Sequence, residues 1–209
     1  MAPASEGKAV LIGHDWGAAA SYPACAHRPE RFEKLVAMAV PHVATMVPRW
    51  LVDPDALERS WYVFFFQMLG LPEASVAAND YAIIDWFWTH WSPGRPPDDF
   101  MRKLKETLAS PGSLEAAIGY YRAMLDPSRH APELEAIQAG GLGPIPVPTL
   151  YLHGAADGVL SHELAPLEDL KQFFPAGLEF ELVDGAGHFM LLDRPAEVNA
   201  RIVRFLTGG

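Results

Sequence analysis

A single cysteine in 209 residues, Cys25, leaves no intrachain disulfide to form, so packing and hydrogen bonding must hold this chain together. Charge is sparse at 20% of residues, and cations are the scarcer kind. Sixteen Lys and Arg against 26 Asp and Glu give a formal net charge of −10, with no Lys/Arg-rich run. That balance argues against nucleic acid or an anionic membrane surface as a partner. No apolar run approaches the roughly 20 residues that a membrane-spanning helix needs. The opening Met1-Ala2-Pro3-Ala4-Ser5-Glu6-Gly7-Lys8 has no apolar signal core, so a cytoplasmic location is the expectation. Internal repeats and low-complexity segments are missing as well. What is present is a chain half hydrophobic, long enough to bury one sizeable core. Cys25 is expected to be a small buried hydrophobe on a helix of that core.

The most informative stretch is Ala9-Val10-Leu11-Ile12-Gly13-His14-Asp15-Trp16-Gly17-Ala18-Ala19. An apolar strand breaks at a small-x-Asp-x-small turn and continues as a helix, the context of a nucleophile elbow with a carboxylate at its centre. Such a turn forces its central residue to positive φ, and Gly13 and Gly17 are expected to give room for neighbouring backbone. Asp15 would then point into a pocket. Taken alone, His14-Asp15 is also compatible with a surface turn or half of a metal site. Two further placements favour the elbow. Leu150-Tyr151-Leu152-His153-Gly154-Ala155-Ala156-Asp157 reads as a strand ending in a loop Asp, and Phe180-Glu181-Leu182-Val183-Asp184-Gly185-Ala186-Gly187-His188 as a strand ending in a Gly-flanked His.

The rest of the chain divides by texture. Strand 9–12, a helix from about Ala18 to His27 and a strand over Leu35–Val40 closed by Pro41 open it, both strands being near-continuous apolar runs that suit parallel strands covered on both faces. From about Pro48 to Gly143 the pattern is helical and aromatic. Helices are predicted over 61–67, 81–91, 98–110 and 113–125, separated by Gly70-Leu71-Pro72, Ser92-Pro93-Gly94 and Pro111-Gly112. Gly140-Gly141-Leu142-Gly143-Pro144 returns the chain to strand and helix alternation, and an amphipathic helix over Pro195–Leu206 closes it. The fold class expected is α/β: a body over 1–47 and 144–209 with a helical cap over 48–143 inserted after the second strand.

Nucleophile, acid and His in that chain order resemble the α/β-hydrolase superfamily. Within it the chain resembles the epoxide hydrolases from about Lys8 to Leu206. The resemblance rests on Gly13-His14-Asp15-Trp16-Gly17-Ala18, Tyr62-Val63-Phe64-Phe65-Phe66-Gln67, Gly119-Tyr120-Tyr121-Arg122, Gly154-Ala155-Ala156-Asp157 and Gly187-His188-Phe189. It implies an α/β-hydrolase fold in which two cap tyrosines, here Tyr62 and Tyr121, hydrogen-bond the epoxide oxygen. Asp15 would attack an epoxide carbon to give an ester, which water activated by His188 would cleave, with Asp157 orienting the imidazole. The backbone N–H of Trp16 would hold the oxyanion of the second step. The implied partner is a small hydrophobic epoxide, and no cofactor or metal is needed.

Departures and alternatives accompany this reading. Relatives open with strands before the elbow and with a His-Gly-x-Pro loop supplying a second oxyanion N–H. Neither precedes Lys8, which leads to the expectation of an N-terminally truncated sheet whose elbow strand has one unpaired flank and invites a homo-oligomer through that edge. A non-catalytic remnant is therefore one alternative. Haloalkane dehalogenation is another, since Asp15, His188 and Asp157 would serve it equally and the Trp16 indole suits a halide. Tyr120 adjoins Tyr121 and leaves the second phenol's register open, and Asp184 rivals Asp157 as the acid. Trp16, Trp61 and Phe65 are expected to line a substrate pocket. Trp86, Trp88, Trp91, Phe64 and Phe66 either shape that cavity or pack cap against body. His42 is expected on a solvated loop, and His27, His90, His130, His153 and His162 are read as surface or hydrogen-bonded core residues.

Overall fold

Four short apolar runs become four parallel strands, ordered in space as in sequence: β1 (Ala9–His14), β2 (Phe32–Met38), β3 (Thr149–Gly154) and β4 (Leu178–Val183). The structure, a computed structural model, describes residues 7–94 and 96–208. The part of the opening segment before Gly7, and the outermost ends of the body expected over 1–47 and 144–209, lie outside the described residues.

Alternation along the central strands sorts side chains into two cores, because successive residues of a strand point to opposite faces. Leu35, Ala37 and Tyr151 face α1 (Trp16–His27), where Ala18, Tyr22 and Cys25 are buried. Val36, Met38, Leu150, Leu152 and Val183 face the other way, against Met190 of α10 (Met190–Asp193) and Val198, Ile202 and Phe205 of α11 (Pro195–Thr207). The last three recur at helical spacing, and burying each contributes about 1.5–3 kcal/mol.

β1 departs from the expected covering on both faces. It lies at the sheet edge, and Val10 and Ile12 on one of its faces are 40% and 49% exposed. Lys34, the register partner of Val10, donates to the Phe205 and Leu206 carbonyls, so α11 ends over β2. β2 also stops earlier than predicted. Ala39 turns to φ 66° and Val40 N–H closes a tight turn onto the Met38 carbonyl.

Between β2 and β3 the described residues are helical. The elements are α2 (Val43–Trp50), α3 (Pro54–Arg59), α4 (Trp61–Phe65), α5 (Leu71–Trp91), α6 (Asp98–Leu108), α7 (Ser113–Leu125) and α8 (Pro132–Gly140), and α9 (Leu167–Lys171) follows between β3 and β4. The boundary expected at Pro48 falls inside α2, because that proline sits past the first turn of a helix that starts five residues earlier. α5 holds a left-handed turn at Asn79, Asp80 and Tyr81 (φ 50°, 55° and 59°), so the helix predicted over 81–91 is its second half.

Candidate active site

All three loops singled out in the sequence emerge at the carboxyl ends of their strands, where open parallel sheets place their ligand sites. Asp15 caps α1 at φ 54°, ψ −122°, a region that a non-glycine residue occupies only when its surroundings hold it there. Two contacts do so. Its N–H donates to the Met38 carbonyl at 3.1 Å, and its carbonyl accepts from Ala19 N–H at 3.0 Å. A Cβ on Gly13 would stand 2.4 Å from the Gly17 carbonyl oxygen, so that glycine is required. Gly17, expected to be needed for the same reason, has open space where its Cβ would be; its contribution is the carbonyl that Gly13 approaches.

Asp15, His188 and Asp157 form one hydrogen-bonded line. His188 Nε2 lies 3.1 Å from Asp15 Oδ1, and His188 Nδ1 lies 3.0 Å from Asp157 Oδ2. The second oxygen of Asp157 accepts from the N–H groups of Val159 and Leu160 at 2.7 and 3.1 Å. Asp184 is exposed, away from this line, because it begins the loop that carries His188 inward. Burial acts most strongly on His188 and disfavours its charge, but the two carboxylates outweigh it and raise the imidazole to about 10. Burial likewise opposes charge on Asp15, yet hydrogen bonding and charge from His188, the Trp16 N–H and His14 hold it below the usual carboxylate range. The resting arrangement is an imidazolium between two carboxylates.

His188 has far to travel. Its strand is three places from β1 in the sheet, roughly 14 Å at the spacing of neighbouring strands. The loop crosses back over β3: Ala156 N–H donates to the Ala186 carbonyl at 2.9 Å, and Gly187 N–H to Asp193 Oδ2 at 2.8 Å. A Cβ on Gly154 would meet the Gly187 oxygen at 2.2 Å, which is why glycine stands at the crossing. The end of α5 then straps the loops down. The Trp91 carbonyl accepts from His188 N–H at 2.8 Å and Gly158 N–H at 3.3 Å, and Ser92 Oγ accepts from Phe189 N–H at 2.9 Å. His14 Nε2 donates to the His188 carbonyl at 2.8 Å. The sequence offers Trp91 only as an aromatic that shapes the cavity or packs cap against body, and His14 only with Asp15 as a turn or half of a metal site; Ser92-Pro93-Gly94 gives the signal of a helix end and none of what it touches.

Two motifs of the helical region are tied together above the elbow. Gln67 Nε2 donates to the Tyr121 carbonyl at 2.9 Å, and Arg122 Nε to the Phe66 carbonyl at 3.0 Å. Arg122 also pairs with Glu73. The Tyr62 and Tyr121 rings consequently meet edge-on at 5.6 Å, and Tyr121 meets Trp16 at 5.3 Å. Burial, then Tyr121, Asp15 and Asp157, push the Tyr62 phenol well above its ordinary value. Burial and Asp15 push Tyr121 up to about 12, with the Trp16 side chain opposing. Both remain protonated donors at neutral pH. Tyr120 is 62% exposed and touches Trp16 from outside, so the helix turns Tyr121 and not Tyr120 inward.

A profile of the alpha/beta hydrolase family matches residues 2–201. The chain belongs to the alpha/beta hydrolase family. It is 32% identical over 201 residues to the AB hydrolase superfamily protein YfhM of Bacillus subtilis, covering 95% of this chain and 66% of that protein. Epoxide hydrolase 1 of Caenorhabditis elegans is 27% identical over 207 residues, covering 95% and 48%. Among solved structures, an epoxide hydrolase of Bacillus megaterium in complex with an inhibitor superposes with a TM-score of 0.75 at 21% identity, covering 96% of this chain and 69% of that one. The chain thus spans about half to two thirds of the length of these curated relatives, and its four-stranded sheet with flanking helices is an alpha/beta hydrolase fold.

The other residues named from the sequence fall as follows. Trp61 and Phe65 pack at 5.5 Å, and Trp61 also meets Trp86 and Phe87, all within the helical region. Trp88 stacks on Phe189 at 4.0 Å and Trp91 meets His188 edge-on at 5.9 Å, so these two join helices to body. His42 corrects its expectation of a solvated loop. It is fully buried, donates from Nε2 to the Gly143 carbonyl at 3.0 Å and stacks on Phe173 at 4.2 Å, because the chain returning to β3 and the segment after α9 cover the end of β2. Cys25 and His153 are buried in the body. Among the described residues, no helix is long and apolar enough to cross a membrane.

Proposed function

We propose that this hydrolase opens a small apolar epoxide to a vicinal diol through an ester on Asp15. The observation that carries this reading is the pair of phenols, buried Tyr62 and half-buried Tyr121, which meet edge to face beside the elbow, with Tyr121 against Trp16. An epoxide carbon is an sp³ centre whose oxygen leaves as an alkoxide, and two protonated phenols close to the nucleophile suit that leaving group. A halide needs no proton, so the same pair would be idle in dehalogenation.

In the first step an Asp15 oxygen forms a bond to one epoxide carbon while the C–O bond to that carbon breaks, and the oxygen takes a proton from a phenol. Ester formation removes the Asp15 charge. That charge helps raise both His188 and the phenols, so its loss eases proton release from each when it is needed. Before the second step the His188 imidazolium returns a proton, through water, to the phenolate left by the first, and His188, now a neutral base held by Asp157, takes a proton from the attacking water. The water oxygen adds to the ester carbonyl, the Trp16 N–H supports the oxyanion, and collapse expels the diol oxygen, which takes the proton from His188; the Asp15 carboxyl then passes its own proton to His188 and restores the starting pair. The aromatic residues Trp61 and Phe65 of the cap over 48–143, with Trp16 of the elbow, favour an apolar or aryl substituent, and no step calls for a cofactor.

The test is the intact mass of a His188→Gln variant incubated with styrene oxide and, separately, a 1-haloalkane, with Asp15→Ala as control. Loss of the base should trap the ester, giving a mass gain of one whole epoxide that the control lacks. An alkyl adduct from the haloalkane alone overturns the reading in favour of dehalogenation. No adduct from either in folded protein overturns it in favour of a non-catalytic chain.

A further inference from the structure

A second imidazole stands behind the acid. His153, on β3 four residues before Asp157, is fully buried, and its ring has a partner at each nitrogen. The Tyr151 hydroxyl donates to Nδ1, which leaves the ring proton on Nε2, and Nε2–H donates to the Leu160 carbonyl at 3.0 Å. Leu160 in turn donates its N–H to Asp157 Oδ1. The acid loop is therefore gripped at one residue from both sides: Leu160 gives its N–H to the acid and its carbonyl to His153. The same His153 Nε2 lies 3.6 Å from Asp157 Oδ2, the oxygen that holds His188. That is beyond hydrogen-bond reach, but a buried N–H dipole at this distance still acts on a carboxylate.

We propose that His153 is a positioning residue: with Tyr151 it fixes the acid loop and sets its Nε2–H beside the Asp157 oxygen that holds His188, weakening that hold. The inference rests on the reading of His188 as the base of the second step. Its consequence is that His188 gives up its proton at a lower pH than Asp157 alone would set. Burial favours the neutral form of His153, so the dipole persists through the working range. The titratable groups facing His153 are Tyr151 on its own strand, Asp157 and His188 from the two loops, and His162 at 6.2 Å between ring centroids. Those facing His188 are Asp15 and His14 from the elbow and Asp157 from the acid loop; the α5 side presents the uncharged Trp91 ring.

The experiment follows the His188 ring nitrogens by NMR against pH, without substrate, in an Asp15→Asn background whose neutral amide stands in for the ester. Adding His153→Phe should raise the His188 midpoint by roughly half a pH unit or more, and adding His153→Gln, which keeps an N–H in place of the imidazole, should restore part of the shift. An unchanged midpoint in folded His153→Phe protein overturns the proposal. Where that variant fails to fold, His153→Leu, apolar and smaller, removes the same N–H and should move the midpoint in the same direction; no movement there overturns it equally. Because the readout is a titration, its outcome is separate from the covalent-adduct test, and failure of either is distinguishable from failure of the other.

Discussion

The sheet body and the helices between β2 and β3 hold their groups by different means. In the body, Asp15, Asp157 and His188 sit on loops pinned by backbone hydrogen bonds and by glycines that admit another strand of backbone within 2.2–2.4 Å of where a Cβ would stand. Such contacts have one solution, and they hold Asp15 and Asp157 each within hydrogen-bond reach of His188. The helical region relies on ring against ring, with two polar clasps, Gln67 and Arg122, and a left-handed turn at 79–81. Rings at 5–6 Å tolerate small displacements that a hydrogen-bonded line does not. The comparison teaches a division of labour for the proposed reaction: the body would set the chemistry at the carboxylate, and the helices would bring donors to a substrate whose shape they can accommodate.

The sharpest way to break this comparison is to remove the donors and leave the body alone. Tyr62→Phe or Tyr121→Phe should each slow ester formation by about 10² or more, and the double variant by about 10⁴, while hydrolysis of an ester already formed stays near the parent rate. Single-turnover kinetics resolve the two steps. Equal slowing of both steps would mean that the phenols serve the body's geometry and not the leaving oxygen.

A second effect belongs to the body. His188 is raised to about 10 in the folded protein, against about 6.5 in an unfolded chain. A raised pKa means that the folded state binds the extra proton, so the associated stability is complete below about pH 6.5 and is lost as pH rises through 10. With one imidazolium shared between two carboxylates, the loss should be on the order of 3 kcal/mol. Urea unfolding at pH 6, 8 and 10 measures it. Asp15→Asn, which removes one of the two supports, should flatten the slope and end it at a lower pH; an unchanged slope would place the linkage elsewhere.

What the sequence disclosed and what it concealed follow the same divide. The elbow, the acid and the His loop are legible because each combines an apolar strand run with glycines that backbone crossing demands, and both features are local. Asp157 over Asp184, and Tyr121 over Tyr120, were open until the fold turned one of each pair inward. The strap at Trp91 was invisible because its working atom is a carbonyl oxygen, which every residue possesses. His42 misled for a related reason: a polar residue after a strand reads as loop, and its burial comes from Phe173 and Gly143, more than 100 residues away. α2 and α3 were hidden by Pro48 and Pro54, which punctuate elsewhere but here sit inside one helix and at the first position of the next.

The smallest effects test whether the rigid side of the comparison is rigid where the glycines say it is. A Cβ on Gly158 would lie 1.8 Å from the His90 carbonyl oxygen, with backbone on both sides of the contact, so Gly158→Ala must push α5 away from the acid loop. The cost should be about 1–3 kcal/mol, read as a lower thermal midpoint, and the Trp91 hold on His188 should loosen with it. Gly17, four residues beyond Gly13 and inside α1, has nothing within 4 Å of its missing Cβ. Gly17→Ala should therefore stabilise by about 0.5–1 kcal/mol through helix propensity and leave turnover untouched. If both substitutions shift the midpoint in the same direction, close backbone approach is not what holds the loops, and the contrast between body and helices loses its physical basis.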